Sequence, residues 1–163
     1  MMKFRHVTQA ALLSLAASGA FGYGGDSGRS AAALGSPDRS YTVGVADISS
    51  GRYADGIQSL EAYTAQVTDN ADAENWLGYA YRKTGDLDEA FAHYDRALTL
   101  NPRHRGAHEY LGEAYLMAGN LSKAQEHLKI LQGLCGSCEE YTMLHRSIDE
   151  YMHRNGIATT SMN

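Results

Sequence analysis

Shifted forward by 34 positions, residues 71–104 fall on residues 105–138 with their key side chains in step. Leu77, Gly78, Ala80 and Tyr81 meet Leu111, Gly112, Ala114 and Tyr115, while Gly85, Leu87 and Ala90 meet Gly119, Leu121 and Ala124. Shifted backward the match thins but keeps phase: Gly44, Gly51, Tyr53 and Leu60 meet Gly78, Gly85, Leu87 and Tyr94. A fixed period of this length means stacked copies of one small helical unit rather than a single interleaved globule.

Within one period the residues read as two antiparallel helices. In 75–85, apolar or small residues at 77, 80, 81 and 84 follow helical spacing, and Gly85 supplies a left-handed stop. Asp86 caps the next helix, and Glu89, three residues on, makes a capping box. Leu87, Ala90, Phe91, Tyr94, Ala97 and Leu98 then form one broad apolar face, and Pro102 prevents the helix from continuing. Gly78 and Ala90 are small where the two helices should pass closest.

These residues closely resemble the tetratricopeptide repeat. The likeness spans residues 37–138 as copies at 37–70, 71–104 and 105–138. Copy two carries the family's Leu77-Gly78, Tyr81, Gly85-Asp86, Ala90, Tyr94, Ala97 and Pro102, with Glu74 where the family has Trp and Trp76 two positions on. Copy three has Leu128 and Leu131 later and lacks the terminal Pro; copy one has Asp47 for the aromatic, Gly56 for Ala and Tyr63 for the second Ala. The expected fold is all-α, a solenoid of about three helix-turn-helix repeats closed by a capping helix at 139–155. Tyr141, Leu144, Ile148, Tyr151 and Met152 form that helix's apolar stripe, Ser137 with Glu140 makes a capping box, and Asp149, Glu150, His153 and Arg154 suit its outer side.

Residues 1–20 read as a secretory signal: Lys3, Arg5 and His6 precede an apolar stretch from Val7 to Ala17, then Ser18-Gly19-Ala20. The stretch is too short and too rich in Ala and Ser for a membrane anchor, which needs about 20 strongly apolar residues. Cleavage would remove two positive charges and take the formal net charge from −5 to −7. An acidic chain of this kind is a poor nucleic-acid binder, which needs concentrated Lys and Arg. Residues 21–36 read as a flexible leader rich in Gly and Ser, and 156–163 as a disordered tail. Asn120-Leu121-Ser122 matches a glycosylation sequon, but Asn120 is also the expected helix cap after Gly119.

The two cysteines, Cys135 and Cys138, stand where copy three should end in Pro. In an oxidising compartment the plain reading is a disulfide clamping the turn into the closing helix; a redox-active pair and a metal-binding pair are the alternatives. No βαβ pattern accompanies the pair, Glu139 and Glu140 disfavour a thiolate, and two thiols supply half a structural zinc site. The ending LCGSCEEY resembles short exported proteobacterial repeat proteins, which implies a periplasmic or secreted setting and carries no activity with it.

The family's first helices line a concave groove through their second, fifth, ninth, twelfth and thirteenth positions. Carried over, the resemblance implies a peptide-binding groove of Tyr41, Asn75, Tyr79, Arg82, Lys83, Glu109, Glu113 and Leu116, with Asp72, Met117, Val45 and Ile48 alongside. Asn, Arg and Lys can hold a peptide's polar groups, while Tyr79 and Leu116 offer apolar contact. Glu109 and Glu113 would repel a peptide carboxylate, so the family's carboxylate clamp does not carry over; a basic centre with an acidic flank suits a segment of alternating charge. His104 and His108, four apart, and His93 and His127, thirty-four apart on outer helices, read as surface histidines rather than metal ligands. No catalytic triad, phosphate-cradling loop or paired catalytic carboxylate stands out. The expectation is therefore an exported, non-catalytic, cofactor-free module that binds a protein or peptide, without a stable membrane anchor. The alternative is an accessory thiol-redox protein using Cys135 and Cys138.

Overall fold

A computed structural model describes residues 36–157. The expected signal at 1–20, the leader up to Gly35 and the tail beyond Ile157 lie outside the described residues. Seven helices follow in order: α1 (Pro37–Ser49), α2 (Tyr53–Thr64), α3 (Ala71–Thr84), α4 (Leu87–Leu100), α5 (Arg105–Met117), α6 (Leu121–Cys135) and α7 (Glu139–Arg154). No strand occurs among the described residues. The helices pair as α1 with α2, α3 with α4 and α5 with α6, and α7 packs on both α5 and α6.

The 34-residue spacing recurs in the punctuation. Asn70 and His104, one period apart, each accept a backbone N–H at the start of α3 and α5, from Ala73 and Ala107, both at 3.1 Å. Asp86 and Asn120, also one period apart, do the same for α4 and α6 through Glu89 N–H (3.3 Å) and Lys123 N–H (3.1 Å). Side-chain caps of this kind satisfy donors that a helix start leaves free, at about 1 kcal/mol each. Asn120 therefore works as a cap. Gly51, Gly85 and Gly119 take φ of +81°, +91° and +77° to reverse the chain between the helices of each pair.

Close helix approach also repeats, with one exchange. A Cβ on Gly78 would stand 2.6 Å from the Tyr94 ring, and one on Gly44 would stand 2.7 Å from Leu60 Cγ. Position 128, one period after Tyr94, holds the shorter Leu128, and the space over Gly112 is filled instead by Leu144 of α7, whose Cδ2 would lie 2.6 Å from an added Cβ. Leu144, Ile148 and Met152 thus close the last layer against Leu116, Ala124, Leu128 and Leu131. Asp47, the odd residue of the first copy, is buried and ion-paired to Arg52 (2.5 Å).

Three local expectations are corrected. Ser137 does not cap α7: Cys138 is the N-cap, no side chain caps the helix, and the Ser137 N–H donates to Cys135 O (2.9 Å) because the short Cys-Gly-Ser-Cys loop turns back on itself. The backbone N–H of Asp86 donates to Tyr81 O (3.0 Å), closing the previous helix rather than donating to the Glu89 side chain. His93 is no surface residue. It is only 6% exposed, stacks on Tyr81 at 5.2 Å and bonds the buried Glu74 through Nδ1 at 2.7 Å, because this side of α4 faces α3. Burial pushes the Glu74 carboxyl up, but His93 and Arg96 outweigh it and hold the group below the usual carboxylate range.

The same two positions one period later hold His108 and His127, with Nδ1 atoms 2.9 Å apart. His108 Nε2 donates to the Pro102 carbonyl (3.0 Å), so in the neutral ring its Nδ1 accepts and His127 supplies the N–H. His108, 5% exposed, is no surface histidine either, and His127, half-buried, stacks on Tyr115 at 5.6 Å.

Candidate binding groove

The first helices α1, α3 and α5 lie side by side, and α7 continues the row. Along the α3–α5–α7 part runs an open groove of about 840 Å³, lined by Arg82 and Lys83, by Glu113, Leu116 and Met117, and by Ser147, Glu150, Tyr151, Arg154 and Asn155. Ser147, Glu150 and Tyr151 stand one period after Glu113, Leu116 and Met117. α7 is therefore in phase with the first helices, and the arithmetic of the repeat, carried one step further, locates its groove residues. Glu150 and Arg154 face the groove, not the outer side on which the sequence reading set them, because α7 takes the place of a fourth first helix.

Arg82 forms the groove's floor. It is 9% exposed, its Nη2 meets Glu113 Oε2 at 2.8 Å, and its Nε donates to the Tyr94 hydroxyl at 3.3 Å. Its guanidinium also lies over the rings of Tyr79 and Tyr110, at 5.4 and 5.5 Å from their centroids. Those two rings touch each other at 5.1 Å, and Tyr79 extends the aromatic strip to Trp76 and Tyr53 at 5.9 and 6.3 Å. Burial raises the Tyr79 and Tyr110 phenols above their ordinary range. Glu113 in turn accepts from Ser147 Oγ at 3.2 Å, so polar contacts cross from α3 through α5 to α7.

The other expected groove residues divide by burial. Lys83 is exposed, with Nζ 5.9 Å above the Tyr79 ring, and Met117 is 54% exposed. Tyr41 is half-buried against Tyr63, 5.2 Å between centroids, and Asp72 bonds His104 Nε2 at 2.9 Å. Ile48 and Leu116 are core residues, since α2 and α6 cover them; Leu116 presents only an edge to the groove. Asn75 is 7% exposed and its Oδ1 has no hydrogen-bond partner. Glu109, 8% exposed, makes no ion pair, and burial followed by the charges of Glu113 and Glu140 pushes its carboxyl up to about 7.

Beyond the groove, Cys135 and Cys138 are joined as a disulfide at the α6–α7 turn. No group of three or more His, Cys, Asp or Glu side chains among the described residues is arranged to hold a metal ion.

Sequence comparison agrees with this geometry. The tetratricopeptide repeat pattern matches residues 44–104 and again 82–146. A 70-residue stretch, 43% of the chain, is 33% identical to the TPR repeat-containing protein PA0015 of Pseudomonas aeruginosa and covers 67% of that protein. The chain belongs to the tetratricopeptide-repeat family. Solved structures share this TPR fold at lower identity. MamA superposes with a TM-score of 0.66 at 23% identity, over 74% of this chain and 69% of its own. The Yersinia enterocolitica type III secretion chaperone SycD, solved with a peptide of the translocator YopD, gives 0.63 at 18%, over 74% and 92%. All seven helices of the described residues contribute to the solenoid, and the groove lies on the face formed by the first helices and α7.

Proposed function

We propose that this TPR protein is a non-catalytic binding module that holds an extended segment of another protein in the α3–α5–α7 groove. The observation that carries the reading is the groove itself: an open channel with the paired Arg82 and Glu113 at its floor and exposed polar and apolar side chains at its rim. Lys83, Met117, Glu150 and Arg154 offer both charge signs and an exposed thioether, which suits a segment of mixed charge with an apolar residue among them. TPR proteins commonly bind protein segments, and the peptide in the SycD structure shows such an occupant in a chain of this fold.

We further propose that the protein acts after export, in the periplasm or outside the cell. The basic start and short apolar run of residues 1–20 support this, as does a cysteine pair suited to an oxidising compartment.

A photo-crosslinking residue placed at Met117, with a second version at the outer-helix position Asp95, tests the groove in living cells. Crosslinks from position 117 that vanish on Lys83→Glu support the reading; crosslinks confined to position 95 overturn it. Fractionation of the same cells tests export: full-length protein retained in the cytoplasm would refute it.

A further inference from the structure

Asn75 and Glu109 occupy the same position of neighbouring repeats, one period apart on α3 and α5. Both are more than nine-tenths buried. The Asn75 Oδ1 has no partner, and Glu109 makes no ion pair. Unpaired buried acceptors are rare in folded proteins, because each forfeits its hydration without compensation. The Asn75 Oδ1 is one such acceptor; Asn75 lies on the stripe of α3 that carries Arg82, and Glu109 lies on the stripe of α5 that carries Glu113. A Cβ on Gly106 would lie 3.4 Å from the Asn75 amide nitrogen, so that amide packs against the stripe of α5 on which Gly106, Glu109 and Glu113 follow at helical spacing.

The charge around them has one sign in excess. Glu109 feels Glu113 on its own helix and Glu139 and Glu140 at the start of α7; Arg82 of α3 opposes them. Arg82 is paired with Glu113 at 2.8 Å, and Arg105 with Glu140 at 3.4 Å, which leaves Glu109 and the exposed Glu139 without a cation. Tyr110 adds a ring beside Glu109, and its phenol is raised by burial and then by the Glu109 charge. Two acceptors, a carboxylate surplus and an aromatic wall match one kind of guest: a side chain that is cationic, rich in N–H donors and partly flat.

We propose that Asn75 and Glu109 form a seat for a basic side chain, arginine foremost, of the segment bound in the groove. This rests on the groove reading above and adds the chemistry of one anchor residue. A guanidinium entering the seat gives the Asn75 Oδ1 a donor and the Glu109 carboxylate a charge-assisted bond, which no neutral guest does. Glu113 stays paired with Arg82 and serves as part of the negative wall. The seat takes cations only when Glu109 is ionised, so occupancy rises with pH through the neutral range.

The test is an NMR titration of the ¹⁵N-labelled protein with N-acetyl-arginine methylamide, using the norleucine and glutamate analogues as controls. The arginine probe should shift the Asn75 side-chain amide and the Gly106 amide saturably, and the controls should not. Glu109→Gln should weaken the arginine probe by about tenfold or more, the worth of a hydrogen bond to a charged group. Its melting temperature, unchanged or raised, shows that the fold is intact. Affinity should rise from about pH 6 to pH 8 in the wild type and stay flat in the variant. Equal binding of the norleucine analogue, unchanged arginine affinity in Glu109→Gln, or calcium ions producing the same shifts at the same concentration would each overturn the seat. If Lys83→Glu still abolishes the Met117 crosslink while the arginine probe fails, the seat is wrong and the groove stands; if both fail, the groove reading falls as well.

Discussion

Acid should loosen the third repeat before the second, and His127 sets the size of the effect. Its ring is held among His108, Tyr115 and the α5 face, and burial followed by His108 lowers its pKa from the ordinary 6.5 to about 4. A histidine with a depressed native pKa binds its proton more readily when unfolded, so stability is full above 6.5 and is lost as pH falls toward 4. At about 1.4 kcal/mol per pH unit the difference is at most roughly 3.5 kcal/mol, and the partial exposure of the ring reduces it to about 2. Glu109 works the other way. Its raised pKa means that protonation below about 7 stabilises the fold, partly masking the histidine in a simple pH series. The decisive measurement is therefore the difference between wild type and His127→Gln, which cannot titrate but can still donate to His108. Circular-dichroism melts from pH 7.5 to 4.5 should show the wild type losing roughly 5–10 °C relative to the variant. A difference that stays flat, or that grows in favour of wild type on acidification, would refute the buried-pair account.

Two further perturbations probe the scaffold. Ala90 is fully buried beside Tyr94, Leu111 and Ala114, so Ala90→Leu should cost roughly 1–3 kcal/mol through overpacking, visible as a lowered melt, whereas Asp88→Leu on the exposed side should cost little. Replacing both Cys135 and Cys138 by Ser should lower stability by roughly 2 kcal/mol by freeing the loop in the unfolded chain, with helicity retained because each helix pair keeps its own core; a complete loss of helicity would show that the staple is needed for folding.

The fold was legible because its determinants recur. Caps at 70, 86, 104 and 120 repeat between copies two and three, and reversing glycines at 51, 85 and 119 and small residues at 44, 78 and 112 repeat through all three, so each confirms the next. Positions facing inward between paired helices were misread where polar residues occupied them. His93 and His108 look like surface residues by type, and only the partner supplied by the other helix, Glu74 or His127, makes their burial tolerable. The repeat set the positions expected to face the groove, but not their contacts: nothing in the spacing says that Arg82 meets Glu113, 31 residues away, or that Glu109 meets no cation. The contribution of α7 was missed because its apolar stripe explains a closing helix so fully that its groove positions drew no notice.

That double role of α7 has a mechanical consequence. Its apolar face covers the third repeat through Leu144, Ile148 and Met152, and its Ser147 completes the polar chain that runs through Glu113 to Arg82 on α3. The floor of the groove is therefore fixed before a ligand arrives, by contacts that need no ligand to form. Under the binding function proposed above, only rim side chains such as Lys83, Met117 and Arg154 must be ordered, at about 0.5–1.5 kcal/mol for each one immobilised. A preformed floor with an exposed rim would hold the ordering cost of the proposed binding to a few side chains. The helix that stabilises the last repeat is also a wall of the groove, so in the proposed function any loosening at the α6–α7 turn should reach stability and recognition together.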